Sequence, residues 1–87
     1  MNEYPTQQAG LSEQRIGDEL YVYGENGETL IVLNATATLI WSLCDGTHPE
    51  TAMLDLLRDL YPDIKPSVLR SDLEDCLRGF REKGMIG

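Results

Sequence analysis

ETLIVLNATATLIW, Glu28 to Trp41, changes character at a single residue. Before Asn34 stand four consecutive apolar side chains, Leu30 to Leu33; after it, small Ala and Thr residues lead into a second apolar segment. A short aliphatic run bounded by turn residues reads as a strand. Asn suits a helix N-cap, because its side-chain oxygen accepts from a backbone N–H two or three residues on that would otherwise be orphaned. The stretch therefore predicts a strand over Thr29 to Leu33 that runs straight into a helix over about Ala35 to Leu43. One feature of the strand needs a cause. A strand with one wet face alternates polar and apolar residues, and this one is apolar on both faces.

Working toward the N-terminus, Glu25-Asn26-Gly27-Glu28 contains Asn-Gly, the dipeptide best suited to the positive φ angles of a tight hairpin turn. It predicts an antiparallel partner strand, Leu20 to Tyr23, with Leu20 and Val22 on one face and Tyr21 and Tyr23 on the other. Gly17-Asp18 separates this from a further short strand, about Leu11 to Ile16. The simplest arrangement is a three-stranded meander. Residues 1–10, MNEYPTQQAG, have no hydrophobic period and are rich in polar residues, Pro and Gly; they read as a flexible arm preceding a single domain over 11–87.

Working toward the C-terminus, Ala37, Ile40, Leu43 and Cys44 form the inner stripe of the first helix, with Trp41 beside it, and Asp45-Gly46 ends it. Thr47 and Glu50 have capping-box spacing for a second helix, with Pro49 in its first turn. Met53, Leu56, Leu57 and Leu60 recur at helical spacing, widened by Leu54 and Tyr61, up to the stop at Pro62. Pro66 opens a third helix reaching about Lys83, with Leu69, Leu73, Cys76, Leu77 and Phe80 inward. Gly84 closes it, and Met85-Ile86 fold back. The expected fold class is α+β: a winged helix-turn-helix-like domain in which a three-stranded antiparallel sheet precedes three helices.

Composition narrows the function. Eighty-seven residues, 41% hydrophobic and 25% charged, form one small core. The net charge is −8, concentrated in residues 1–50, where eight acids face the single base Arg15. That field opposes phosphate binding. The third helix balances Arg70, Arg78, Arg81 and Lys83 against Asp72, Glu74, Asp75 and Glu82, so as a recognition helix it would bring acids to phosphates. No run is long enough to cross a membrane and no signal peptide is evident. Cys44 and Cys76 are not in a CxxC pair and read as buried thiols of a cytoplasmic protein. His48 is the only histidine, at a turn, so no metal, cofactor or nucleophile-base set is expected. The chain reads as a non-enzyme.

The third strand is apolar on both faces. Leu33, beside the cap, and Ile31 should face the core; Leu30 and Val32 should then share the other face. In a meander this strand is an edge, and between Thr29 and Leu33 no charge, proline or evident bulge protects it. An apolar, unprotected edge suits β-augmentation, in which an extended peptide adds as a fourth strand. Backbone pairing would then supply register-independent affinity, and pockets beside the strand would read side chains. Coverage by the protein's own helices, or pairing with a second copy or a larger protein, are the competing explanations, as is a winged-helix regulator touching DNA or the transcription machinery.

These segments together resemble the PqqD family. The resemblance is carried by an apolar strand ending in Leu33-Asn34, a Thr/Ala-rich helix start, and a helix ending in Asp45-Gly46. It continues in a Leu-rich helix ending in Tyr61-Pro62 and a Pro-started helix containing Ser71-Asp72-Leu73 and finishing in Lys83-Gly84-Met85-Ile86. It covers about residues 11–87. The family includes the peptide chaperone of pyrroloquinoline quinone biosynthesis and recognition elements for ribosomally made, post-translationally modified peptides, lasso peptides among them. The resemblance implies that the domain grips a precursor's leader peptide and delivers it to a leader peptidase, cyclase or radical-type modifying enzyme. In the family the leader adds antiparallel to the third strand, in a cleft against the third helix. Carried onto this sequence, Thr29, Leu30, Ile31, Val32 and Leu33 would offer the pairing backbone and contacts. Leu69, Leu73 and Cys76 would wall the cleft, with Arg70 and Asp72 at its rim; Leu73, like Leu77 and Phe80, also fits a plain core role. Asp72 would meet a leader Lys or Arg. The Pro-Glu pair often seen before the third strand is replaced here by the Glu25–Glu28 turn, which favours a lasso-type or generic recognition element over the quinone pathway.

Overall fold

The structure, a computed structural model, describes residues 4–87. Three strands, β1 (Ser12–Ile16), β2 (Glu19–Tyr23) and β3 (Thr29–Leu33), precede three helices, α1 (Ala35–Leu43), α2 (Glu50–Leu60) and α3 (Pro66–Glu82). The sheet is an antiparallel meander in the order β1-β2-β3, so β1 and β3 are its edges. This is the α+β fold that the sequence predicts.

Both hairpin turns follow from glycine. Gly17 has φ 62° and no described non-glycine residue has positive φ, so Gly17-Asp18 forms a two-residue type II′ turn between Ile16 and Glu19. The second turn differs from the Asn-Gly expectation. Gly27 alone takes the left-handed conformation, φ 81°. Its N–H donates to the Gly24 carbonyl at 3.0 Å, and the Gly24 N–H donates to the Glu28 carbonyl at 2.8 Å. Asn26 therefore occupies an ordinary turn position, and the extra loop residue is accommodated by the left-handed glycine.

One face of the sheet lies on the helices. Leu20, Val22 and Leu33 are buried there with Ile40, Trp41, Met53, Leu57, Leu77 and Phe80. Trp41 ties the layers together. Its ring meets Phe80 edge-on at 5.3 Å, and its indole N–H donates to the Glu13 carboxylate at 2.7 Å. Trp41 is thus a core residue rather than a flank of the α1 stripe.

The helix ends repeat the logic of the sequence with one exception. Asn34 caps α1, its side-chain oxygen accepting from the Ala37 N–H at 2.9 Å. Gly84, φ 68°, ends α3, and the Met85 N–H reaches back to the Phe80 carbonyl at 2.8 Å, burying Met85 and Ile86. The exception is α2, whose N-cap is Pro49 with no side-chain cap bond. Thr47 does not form the capping box because Asp45 engages it: the Thr47 N–H and hydroxyl both donate to the Asp45 carboxylate, at 2.9 and 2.6 Å. Those two bonds, and then one with His48, hold the Asp45 carboxyl down to about 2. Also against expectation, Leu56 and Leu60 on α2 are exposed, and only Met53 and Leu57 of its stripe are buried.

Of the expected flexible arm, residues 1–3 lie outside the described residues. The part that follows is docked. Pro5 is buried, the Gln7 N–H donates to the Cys44 carbonyl at 2.9 Å, and the Gln8 N–H donates to the Met85 carbonyl at 2.8 Å. The Gln7 side chain also donates to the Trp41 carbonyl at 2.8 Å. The first of these contacts satisfies the Cys44 carbonyl, which the end of α1 would otherwise leave open.

Replacing the cap, Asn34→Ala, should lower unfolding stability by about 1 kcal/mol. Chemical denaturation would read this as a lower midpoint with an unchanged slope.

Candidate functional site

The two edges of the sheet are chemically unlike. β1, Ser-Glu-Gln-Arg-Ile, is exposed throughout and polar over its first four residues, the kind of edge that resists pairing. β3, Thr-Leu-Ile-Val-Leu, is not. Along β3, Leu33 is 1% exposed and Val32 40%, with Leu30 and Ile31 between them.

The simple alternation expected for β3 fails at one residue. Leu33, Val32 and Ile31 pair with Leu20, Tyr21 and Val22, but the next pair is Thr29 with Tyr23. Leu30 has no partner across the ladder and forms a bulge. It packs half-buried against the core instead of sharing the open face with Val32. The edge thus carries a bulge that its residue types did not announce, and it protects the start of the strand only.

The hairpin turns fix which backbone groups face the open side. In an antiparallel ladder, hydrogen-bonded and non-hydrogen-bonded pairs alternate. Ile16 and Glu19 close the first turn as a bonded pair, so Tyr21 directs its N–H and C=O toward β1, and Leu20 and Val22 direct theirs toward β3. The second turn gives the same phase, since Gly24, two residues beyond Val22, bonds to Glu28. Leu33 and Ile31 therefore bond to β2. Val32, opposite Tyr21, points its N–H and C=O away from the sheet.

Helix α3 presents a flank with space beside it. Asp72, Cys76, Gly79 and Lys83 follow one another at three- and four-residue steps and share one side of the helix. At its end, Lys83 joins Leu30, Glu28, Glu25, Leu11 and Gln8 around a depression of about 380 Å³, which places this flank toward β3. A Cβ added at Gly79 would meet nothing within 4 Å, so the flank is open there.

The carried-over α3 residues divide accordingly. Leu69 and Leu73 are 1% and 2% exposed and belong to the core; they lie beneath the flank and do not wall it. Cys76 is half-buried on the flank, not fully buried as the sequence suggested, and Asp72 is exposed on it. Arg70 is not brought to the same rim. Two residues from Asp72, it falls on the opposite side of a helix with about 3.6 residues per turn. It lines an outward groove with Ser67, Glu74 and Arg78. Gly79 and Lys83 were missed. A glycine inside a helix, which costs about 0.5–1 kcal/mol relative to Ala, was the available signal for the first.

Among the described residues, no three His, Cys, Asp or Glu side chains are grouped to hold a metal ion, and no helix is long and apolar enough to cross a membrane.

The profile of the family described as Coenzyme PQQ synthesis protein D (PqqD) matches residues 19–86. This chain belongs to the PqqD family. A solved structure titled TbiB1 in complex with the TbiA(beta) leader peptide superimposes on this PqqD-family domain with a TM-score of 0.77. The match covers 93% of each chain at 22% identity, a likeness of fold. No curated protein matches the sequence. The PqqD match takes in β2, β3 and all three helices, hence both the open edge and the α3 flank.

Neither thiol of this PqqD-family domain is activated. Burial pushes Cys44 up to about 12, opposed only in part by Arg81. Burial, then Asp72 and Asp75, pushes Cys76 up as well. Both thiols should react slowly with an aromatic disulfide reagent at neutral pH in the folded protein and rapidly once unfolded. Because the unfolded Cys44 thiol ionises before the folded one, stability should fall as pH rises from about 9 toward about 12, read by denaturant midpoints across that range.

Proposed function

We propose that this protein binds the leader peptide of a ribosomally made, post-translationally modified peptide by strand addition to β3, and presents it to a processing enzyme. The observation that carries this reading is the outward-facing backbone of Val32 on an apolar edge, beside the open α3 flank of Asp72, Cys76 and Gly79. An added strand would meet Val32 with its backbone and lie between β3 and that flank. Membership of the PqqD family supports the reading, as does the fold shared with TbiB1, whose structure is titled as a leader-peptide complex.

The role is binding, without catalysis or cofactor. Binding needs only an edge and a cleft, and the two raised thiols offer no nucleophile. The partners that fit are a precursor leader and the leader peptidase, cyclase or radical-type enzyme that acts on it, in the cytoplasm; a lasso-type pathway suits the Glu25–Glu28 turn. The exposed Asp72 would attract a leader Lys or Arg, and the excess of acids in residues 1–50 would steer a basic leader toward the sheet. A DNA-binding role is not favoured. The outward face of α3 mixes Arg70 and Arg78 with Glu74 and Asp75, and Arg78 is already held by Asp75 at 3.1 Å. Pairing of two copies through β3 would bring together two chains of net charge −8.

Val32→Pro tests the proposal. Proline removes the outward N–H but no bond to β2, so the fold should survive, with a thermal midpoint shift of no more than about 5 °C. Calorimetry against the leader of a precursor encoded beside this protein should detect binding to the native protein and none to Val32→Pro. Arg70→Ala, on the far flank, should bind as the native protein does. Undiminished binding by Val32→Pro would exclude strand addition on β3.

A further inference from the structure

We infer that the face of the sheet turned away from the helices is where the processing enzyme docks, and that a bound leader completes this surface. The inference rests on the strand-addition reading and extends it to a second partner. Alternate side chains of a strand fall on opposite faces. Glu13, whose carboxylate accepts from Trp41, and the buried Leu20, Val22 and Leu33 mark the helix side. Gln14, Ile16, Tyr21, Tyr23 and Val32 therefore stand on the other side, where Ile16 and Val32 remain 48% and 40% exposed. The centre of that face is neutral and aromatic in a chain of net charge −8. The Tyr21 and Tyr23 rings stack with centroids 6.4 Å apart, and the Tyr23 hydroxyl donates to the Gln14 side chain at 3.1 Å. Of the strand residues on this side, Glu19 alone is charged, at the corner opposite Ile16. Aromatic anchors with little charge around them have the composition of an interface core. The stack and the hydrogen bond also order both rings in the free protein, so contact costs them little entropy.

Area and the geometry of the added strand say what covers this face. Three five-residue strands, about 4.8 Å apart with about 3.4 Å per residue, present a face of roughly 250 Å². A stable interface takes about 800 Å² from each partner, so a second copy seated on this face alone would not persist. A processing enzyme has a further hold, because the precursor it acts on is anchored to the same sheet. A weak contact then becomes an intramolecular one and counts. An added strand has β3 on one side and the α3 flank beneath it. Its far edge and its outer face stay open, and only the outer face offers an enzyme both chains at once. Side chains directly opposite each other across an antiparallel pair share a face. The guest residue opposite Val32 therefore extends the row of Gln14, Tyr21 and Val32, and loading adds a fourth strand to the docking surface. The partner is an enzyme with an apolar, uncharged contact patch, and it meets the loaded protein better than the empty one.

The test pairs leader calorimetry with precursor processing by the leader peptidase or modifying enzyme encoded beside this protein, using the full chain. Ile16→Lys and Tyr21→Lys each place a charge on the face without touching the β3 backbone. Ile16 is exposed on β1, the strand farthest from β3, so Ile16→Lys should keep the native thermal midpoint. Leu60→Lys, at an exposed position on α2, is the control. Both face variants should bind leader within about twofold of the native protein and raise the KM for the protein–precursor complex about tenfold, with kcat within about threefold. Leu60→Lys should match the native protein in every readout. An unchanged KM in the face variants, a loss with Leu60→Lys instead, or a rise in KM matched by an equal loss of leader affinity would overturn this inference and leave leader binding intact. A native dimer in light scattering that Ile16→Lys makes monomeric would overturn it in favour of a second copy. Absence of leader binding by the native protein would overturn the strand-addition reading itself, and this inference with it.

Discussion

A three-stranded meander cannot bury all of its backbone hydrogen-bonding groups, and this chain leaves those of Val32 facing outward in the middle of an apolar strand. The rest of the architecture bears on that pair. The sheet is too small to close on itself, so each edge must be guarded or used. β1 is guarded by Glu13, Gln14 and Arg15. β3 is guarded at its start by the Leu30 bulge and at its end by conversion into α1 at Asn34. The interval between them, centred on Val32, lies beside a helix flank that carries a glycine where a side chain would fit.

Holding that interval in place is the work of the core beneath it. Trp41 is the residue where the parts converge: Phe80 of α3 packs on its ring, Glu13 of β1 accepts its N–H, and Gln7 of the N-terminal segment donates to its carbonyl. α1 is thereby fixed against the sheet, the third helix and the arm together. Since α1 begins one residue after β3 ends, its position also sets where β3 ends and how Val32 is presented. The Met85-Ile86 turn is buried and paired with the docked Thr6–Gln8 segment, whose Gln8 reaches the depression lined by Leu30 and Lys83.

Much of this was legible because strong local signals agreed. Asn34 before a small-residue run, Gly46, Pro66 and Gly84 each have a conformational reason to stand at an element end, and α1 falls on Ala35–Leu43 as its cap and stripe imply. What the sequence concealed depended on tertiary contacts. The bulge at Leu30 lies beyond the loop whose extra residue Gly27 already absorbs, and nothing in Thr-Leu-Ile-Val-Leu marks which residue will leave the ladder. Gln7 looked like part of a polar tail, because the carbonyls it satisfies lie more than thirty residues away. Leu56 and Leu60 matched the period of α2 but are exposed, Met53 and Leu57 alone of that stripe reaching the core. The family resemblance puts Arg70 at one rim with Asp72, whereas helical geometry sets the two on opposite sides. For the site, then, the strand was readable and the composition of its α3 wall was only partly so.

The most direct test needs no ligand. Amide hydrogen exchange of the free protein, followed residue by residue, distinguishes N–H groups bonded within the sheet from those facing solvent. The account predicts that Ile31 and Leu33 are protected and that Val32, between them, exchanges at close to the rate of an open chain. Protection of Val32 equal to that of Leu33 would mean that its N–H is already engaged, and would contradict the open edge on which strand addition depends.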